Sequence, residues 1–308
     1  MEQSIPVKLP YAGSLRVFKP LSAINKIQKN NVKNKVRGLE FDPSNKSYKI
    51  RELEVSITSK CHLRCDNCGF YIPDQPHPAM TENVISEMVT SLKHLQRLKI
   101  KIGSLGILGG EPTFNQKNLT ASLTEFAKFD NIERIEVVSH GLTPQNISRE
   151  SYKLIDKLSI SVYFDNQELI HLWKAYTSKF APHLELSVRK DKDWDKWLGN
   201  EIVDDYKAQE MFDYCWYRKH CVTIERQRLF VCSRISKLSK DNEGIILDGE
   251  TRIQDVESYL NQTSFLPSCK TCTPMMGLPT VKAGQQPDDR ISKLERKAVE
   301  FLKAQING

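Results

Sequence analysis

The chain has 308 residues, of which 39% belong to the hydrophobic set and 27% are charged. This composition is typical of a folded globular protein and argues against a disordered chain. No apolar run approaches the roughly 20 residues that a membrane helix needs, so we expect no membrane partner. The net charge of +7 leaves nucleic acid open as a partner, although we favour solvated basic faces as its explanation.

Cysteine usage predicts the compartment. The chain carries eight cysteines, and its start, Met-Glu-Gln-Ser-Ile-Pro, lacks the basic and then apolar layout of a secretory signal peptide. In a reducing cytosol, clustered cysteines are more often metal ligands than disulfide partners. We therefore expect a cytoplasmic protein with metal-bound cysteines.

The first 200 residues divide into two parts. Residues 1–49 show little periodicity and are predicted to be an N-terminal extension, which includes the basic stretch from Lys26 to Arg37. Between residues 50 and 200, short apolar strands alternate with amphipathic helices, which indicates βα units on a parallel sheet. The predicted strands are Leu53–Ile57, Leu105–Leu108, Ile135–Ser139, Leu158–Tyr163 and Leu184–Val188, and the predicted helices cover 82–98, 118–129, 148–157 and 166–180.

A CxxxCxxC motif, formed by Cys61, Cys65 and Cys68, follows the first predicted strand. Thiolates favour iron–sulfur clusters, zinc or copper(I). Three ligands from one loop fit three irons of a cubane [4Fe–4S] cluster and leave the fourth iron open. A structural zinc site with His62 or His77 as the fourth ligand has a compatible spacing, so the motif alone leaves both interpretations open.

A second motif, Gly109-Gly110-Glu111-Pro112, follows the second predicted strand. A glycine pair at a strand end lets backbone approach a ligand closely, and the Glu111 carboxylate can accept hydrogen bonds from an ammonium group. Ligands of parallel α/β sheets bind at the carboxyl ends of the strands, where both motifs are predicted to lie.

The two motifs together resemble those of the radical S-adenosylmethionine (radical SAM) superfamily. The resemblance implies a partial (β/α) barrel that is open on one side. It also implies a [4Fe–4S] cluster whose open iron is chelated by the amino and carboxylate groups of S-adenosylmethionine (SAM), and a reductant protein such as flavodoxin or ferredoxin. In this interpretation the Gly109–Pro112 turn faces the methionyl ammonium, while Ser139 and Ser161 lie near the ribose.

Two residues depart from the family pattern. Asn67 stands where the residue before the third cysteine is usually aromatic, so we expect Phe70 or Tyr71 to pack near the adenine instead. His140 replaces the Asn that often follows a Ser or Thr at the strand end near the ribose.

The predicted region 201–289 contains the other five cysteines. A hairpin of Val222–Ile224 against Leu229–Val231 is predicted between Cys221 and Cys232, and a helix over 252–261 precedes a CxxC pair. The four proposed ligands are Cys221, Cys232, Cys269 and Cys272. Their spacing fits either structural zinc or a cluster.

Beside the front motifs, this cysteine set resembles the shortened "twitch" form of the SPASM extension, which implies a second [4Fe–4S] cluster. Cys215 is left over: it can replace Cys221, act as a proton donor, or simply be buried. Residues 290–308 form a predicted C-terminal helix that packs on the barrel. The expected fold is therefore α/β, a partial (β/α) barrel with a small cysteine-rich extension.

The resemblance implies an enzyme that abstracts hydrogen from a C–H bond of a small molecule or peptide. Small molecules are preferred, because the first 49 residues are too short and irregular for a leader-recognition module. A four-cysteine rear cluster has no open iron and would accept or relay an electron, which favours oxidation or bond formation. The alternatives are modification of a base in DNA or RNA, and a non-catalytic zinc or iron–sulfur binding protein.

Overall fold

The computed structural model describes residues 38–72, 83–163, 166–190, 192–238 and 243–308. The basic stretch Lys26–Arg37, most of the predicted N-terminal extension and His77 lie outside the described residues. Among the described residues, no helix combines the length and the apolar character needed to cross a membrane.

Strands and helices alternate through the first half of the described chain. The strands are β1 (Glu40–Asp42), β2 (Ser47–Ser56), β3 (Ile100–Leu108), β4 (Ile135–Ser139), β5 (Lys157–Ser161), β6 (Glu185–Arg189), β7 (Asp193–Trp194), β8 (Val222–Glu225), β9 (Arg228–Phe230), β10 (Ile245–Ile246) and β11 (Val281–Lys282). The helices are α1 (Val84–Arg97), α2 (Gln116–Phe126), α3 (Arg149–Lys153), α4 (Gln167–Phe180), α5 (Asp205–Asp213), α6 (Tyr217–His220), α7 (Ser233–Leu238), α8 (Ile253–Leu260) and α9 (Arg290–Asn307). The predicted elements are therefore present, with β2 and β3 longer and α3 shorter than expected.

The central sheet is a ladder of parallel strands. Strands β2 to β6 pair in sequence order, and helices α1 to α4 make the crossovers between them. Pairs such as Leu53 with Leu105, and Leu105 with Ile135, fix the register. Because the strands are parallel, their carboxyl ends meet at one edge of the sheet. Among the described residues the ladder ends at β6 on one side and β10 on the other, so the α/β fold is a partial barrel.

The helices cover the outer face of the sheet with apolar stripes. On α1, Val84, Met88, Leu92 and Leu95 are buried at helical spacing, as the sequence predicts. The C-terminal helix α9 packs against α4, where Phe301 lies 6.3 Å from the Tyr176 ring. This packing agrees with the prediction that the last helix covers the barrel.

The cysteine-flanked hairpin extends the barrel sheet. Its first strand, β8, pairs in parallel with β2, with Val222 opposite Leu53, and β9 then returns antiparallel. The turn between them consists of Arg226 and Gln227, whose φ angles of 53° and 57° are both left-handed. A two-residue turn of this kind matches the twist of a hairpin even without glycine.

Helix α7, which follows the hairpin, is tied to β8 by a buried ion pair and to β2 by a hydrogen bond. The Lys237 ammonium contacts the Glu225 carboxylate and also donates to Ser56 Oγ at 2.8 Å. All three side chains are buried. The hairpin thus shares both a sheet and a polar contact with the barrel, and the predicted domain boundary at residue 201 stays a prediction.

Candidate functional site

The GGEP turn lies against the backbone of the cysteine loop. The amide of Gly110 donates to Thr58 O at 2.7 Å, and the amide of Glu111 donates to Lys60 O at 2.8 Å. Gly109 has a φ of +129°, and a Cβ at Gly110 would lie 2.1 Å from Lys60 O. The glycine pair is therefore needed for contact between two backbone segments, whereas the sequence predicted an approach to a ligand.

Glu111 connects the ends of β3 and β4. Its carboxylate is 2% exposed. Its Oε1 atom accepts hydrogen bonds from the Thr113 amide, the Thr113 hydroxyl and Ser139 Oγ at 3.1, 2.7 and 2.8 Å, and Oε2 accepts from the His140 amide at 2.8 Å. Pro112 lies behind it as the first residue of a short 3-10 helix. The carboxylate is thus saturated by protein donors and fixes the position of the β4 end.

The three front cysteines and the GGEP turn line one cavity of about 310 Å³, which we call the front cavity. The predicted residues that line it are Cys61, Cys65, Cys68, Gly109, Gly110, Glu111, Ser139 and Ser161. The carboxyl ends of β2, β3, β4 and β5 therefore meet around the front cavity, and the motifs lie together there as the sequence predicted.

The cysteine loop is shaped by local backbone contacts. Asn67 has a φ of +57°, a left-handed conformation that Asn adopts more readily than an aromatic residue does. This conformation gives a physical reason why position 67 is Asn and not an aromatic residue. Phe70 lines the front cavity, whereas Tyr71 is buried with its hydroxyl 3.2 Å from Trp197 O. Of the two expected substitutes, Phe70 is the one that faces the cavity.

The front thiols need a cation to ionise. Burial raises the pKa of Cys65 to about 12 and also raises the pKa values of Cys61 and Cys68. Gln286 Nε2 donates to Cys65 Sγ at 2.9 Å and is the kind of donor that stabilises a metal-bound thiolate. Across the described ranges, no three His, Cys, Asp or Glu side chains are close enough together to bind a single metal ion. The three thiols are spread around the cavity wall and do not converge on a single point.

His140 is buried beside the front cavity and faces His62. Its Nδ1 accepts from the Leu142 amide at 3.0 Å, so Nε2 carries the hydrogen and is 3.3 Å from His62 Nδ1. Burial lowers the pKa of His140, which keeps the ring neutral. This residue therefore fixes the β4 end by neutral hydrogen bonds.

Four rear cysteines surround a second, smaller cavity of about 30 Å³, which we call the rear cavity. They are Cys215, Cys232, Cys269 and Cys272. Burial is the main cause that raises the pKa of Cys269 and of Cys272 to about 12, with further contributions from the neighbouring thiols. The structure thus places Cys215 where the sequence prediction had Cys221.

Cys221 lines the front cavity, on the far side of helix α6 from Cys215. The pairing of Thr223 with Glu54 explains why Cys221 lies on the front cavity. Side chains at alternate positions of a strand share a face, so Cys221 and Thr223 lie on the same face of the sheet as Glu54. The Glu54 carboxyl accepts hydrogen bonds from the Cys221 thiol and the Ser233 hydroxyl.

Two buried cations face the rear thiols. Arg218 and Arg234 both line the rear cavity and are each 6% exposed. The Nε–H group of each is buried without a hydrogen-bond partner in the part of the chain that the structure describes. Unpaired buried donors are rare in folded proteins, so these two N–H groups indicate room for an acceptor, such as a metal-bound sulfur, in the rear cavity.

Sequence reasoning missed several residues that line the front cavity: Glu54, Arg189, Trp194, Trp197 and Tyr217. A signal for Glu54 was available, because a carboxylate in the middle of the apolar alternation Leu53–Ile57 must face something polar. The other four lie at strand, loop or helix positions that carry no motif.

No family model matches the chain. Over 111 residues it is 32% identical to a GTP 3′,8-cyclase from Staphylococcus haemolyticus, covering 35% of this chain and 31% of that protein. Over 107 residues it is 27% identical to a GTP 3′,8-cyclase from Peptoclostridium acidaminophilum, covering 33% of this chain and 30% of that protein. The chain therefore spans about a third of the length of the curated relatives it matches.

Two solved structures show weaker likeness. BtrN in complex with AdoMet and 2-DOIA matches with a TM-score of 0.47 and 13% identity, over 78% of this chain and 96% of that one. Native anSMEcpe with bound AdoMet matches with a TM-score of 0.38 and 14% identity, over 83% of this chain and 98% of that one. The CxxxCxxC loop and the GGEP turn lie at neighbouring strand ends, and over about a third of its length the chain is similar to these cyclases, which agrees with the predicted resemblance to the radical SAM superfamily.

Proposed function

We propose that this protein binds a [4Fe–4S] cluster through Cys61, Cys65 and Cys68 and binds SAM in the front cavity. When bound, the cluster and SAM supply a 5′-deoxyadenosyl radical that abstracts hydrogen from a C–H bond of a small molecule. The observation that carries this proposal is that three half-buried thiols and the GGEP turn line one cavity of about 310 Å³.

The chain's own residues position the cofactors. The three thiols become ligands once a cation offsets the effect of burial on their pKa values. Glu111 fixes the β4 end through Ser139 and the His140 amide, so Ser139 stays directed at the cavity. Aromatic side chains that also line the cavity, including Phe70 and Trp197, exclude water from the reacting atoms.

The test is anaerobic reconstitution with iron and sulfide, followed by incubation with SAM and a reductant. Wild-type protein should form 5′-deoxyadenosine, and Cys65→Ala should form none while losing about four irons per chain. A Cys65→Ala protein that cleaves SAM at the wild-type rate would refute the front site. A brown protein that never forms 5′-deoxyadenosine would instead support the non-catalytic alternative.

We further propose that the rear cavity holds a second [4Fe–4S] cluster on Cys215, Cys232, Cys269 and Cys272. Support comes from the shared cavity and from the unpaired Nε–H groups of Arg218 and Arg234, which can donate to cluster or thiolate sulfur. Such a twitch-like site would accept or relay an electron.

Iron analysis of two cysteine variants tests this ligand set. Cys215→Ala should lose about four of about eight irons, whereas its matched control Cys221→Ala should keep all of them. The reverse result would restore Cys221 as the ligand. One zinc with about four irons per wild-type chain would show that the rear site is structural.

A further inference from the structure

The Cys221 thiol belongs to neither group of proposed cluster ligands. It lines the front cavity together with Cys61, Cys65 and Cys68, and its side chain is 8% exposed. It also immediately precedes β8, which pairs with β2 from Val222 onward, so the sheet fixes its position. A buried thiol held at the wall of a cavity built for radical chemistry can react there.

The surroundings of Cys221 keep its sulfur protonated. Its thiol donates a hydrogen bond to the Glu54 carboxyl, which also accepts from Ser233. Burial raises the pKa of Cys221 well above its usual value, and the Glu54 carboxyl raises it further whenever that carboxyl is ionised. The group that faces the cavity is therefore an S–H bond and not a thiolate. An S–H bond is weaker than an aliphatic C–H bond, so a carbon radical that reaches it takes its hydrogen with a gain in free energy.

We propose that Cys221 donates a hydrogen atom to a carbon radical in the front cavity and that Glu54 supplies the proton that restores the thiol. This inference rests on the proposed function and narrows its reaction class. The S–H bond breaks homolytically, the new C–H bond forms, and Cys221 becomes a thiyl radical. One electron from a low-potential reductant and one proton from Glu54 then regenerate the thiol, and Glu54 regains its proton from water.

The expected reaction differs from the oxidation that a rear cluster alone suggests. If the substrate radical receives hydrogen from Cys221, the substrate carbon undergoes no net oxidation. The fitting substrate is a small molecule whose C–H carbon is inverted or exchanges its hydrogen. The rear cavity would then serve to relay an electron toward Cys221.

SAM itself serves as the probe, because no other substrate is needed for uncoupled cleavage. The reconstituted protein is incubated in D₂O with SAM and titanium(III) citrate, without added thiols, and the deuterium content of the 5′-deoxyadenosine is measured by mass spectrometry. Wild-type protein should yield 5′-deoxyadenosine with one deuterium, taken from the exchanged S–D group. In Cys221→Ala and Cys221→Ser the deuterium per molecule should fall to background.

Two phenols in the same cavity provide matched controls. Tyr163 and Tyr217 line the front cavity, and the Tyr217 hydroxyl donates to Asp195 Oδ2 at 3.1 Å. Tyr163→Phe and Tyr217→Phe should retain the wild-type deuterium content. A second readout is independent of turnover: Cys221→Ala should retain the wild-type iron content and visible absorption.

The outcomes separate this inference from the proposed function. Absence of 5′-deoxyadenosine from the wild-type protein would refute the proposed function and the donor role with it. If 5′-deoxyadenosine forms without deuterium, or stays labelled in Cys221→Ala, the donor role alone is refuted. Iron loss in Cys221→Ala would identify the residue as a ligand and would also overturn the inference.

Discussion

Gly110→Ala should separate the GGEP turn from the cysteine loop. A Cβ at Gly110 would lie 2.1 Å from Lys60 O and 2.6 Å from its carbonyl carbon. Both are backbone atoms, so no side-chain rotation relieves the contact. The change breaks two backbone hydrogen bonds, each worth about 1 kcal/mol, and adds about 1–3 kcal/mol of overpacking. We therefore expect the free energy of unfolding to fall by about 3–5 kcal/mol.

Gly106→Ala is the matched control. Gly106 lies on β3, four residues before Gly110, and a Cβ there would meet its nearest neighbours at 3.8 and 3.9 Å, an ordinary contact distance. Its unfolding free energy should stay within about 1 kcal/mol of wild type. Urea unfolding of the metal-free proteins, followed by circular dichroism, gives both values, and iron content after reconstitution reports the front site. Equal stability and equal iron in the two variants would refute the backbone-contact argument.

Three further changes test other contacts. Lys237→Met removes one of the two cations that pair with the buried Glu225 carboxylate and leaves Arg226 at 3.1 Å, so the unfolding free energy should fall by about 1.5–3 kcal/mol. Lys293→Met, at an exposed pair with Asp289, should cost less than about 1 kcal/mol, and equal urea midpoints for the two variants would contradict this. Gln286→Ala removes the donor to Cys65 Sγ and should lower the midpoint potential of the front cluster in an EPR-monitored titration, so an unchanged potential would show that the contact is absent in the loaded protein. Burial raises the pKa of Glu54 from 4.5 to about 7, so the folded state keeps a proton that the unfolded state releases. The Glu54 carboxyl therefore stabilises the folded state by about 3 kcal/mol at low pH, and this contribution is lost as the pH rises from 4.5 through about 7. Glu54→Gln should make the free energy of unfolding in urea less dependent on pH across this range.

The front half of the site could be predicted because its residues follow strand ends. The CxxxCxxC loop and the GGEP turn each come directly after an apolar run, and parallel strands bring such positions together. What the sequence could not show was the purpose of the glycines. Their closest contacts are Thr58 and Lys60, two loop residues without any motif character.

The choice between Cys215 and Cys221 needed the structure. The two cysteines are six residues apart and flank a single helical turn. The spacing is therefore compatible with either cysteine as the fourth ligand. The strand pairing decides, because β8 lies beside β2 with Thr223 opposite Glu54 and therefore turns Cys221 toward the front cavity. A parallel pairing between strands about 170 residues apart leaves no local signal in the sequence.

The β8–β9 hairpin links the two cavities within one sheet. It is flanked by Cys221, on the front cavity, and by Cys232, on the rear cavity. It is held to β2 by strand pairing and by the Lys237 contact with Ser56. Tyr217 lines both cavities, so one side chain is all that separates them at that point. If the rear cavity holds the proposed cluster, a rigid sheet gives this electron donor and the Cys221 thiol a constant separation, which a flexible linker would not. On the proposed function, the continuation of the barrel sheet into the cysteine-rich region would therefore keep the distance between the two sites fixed.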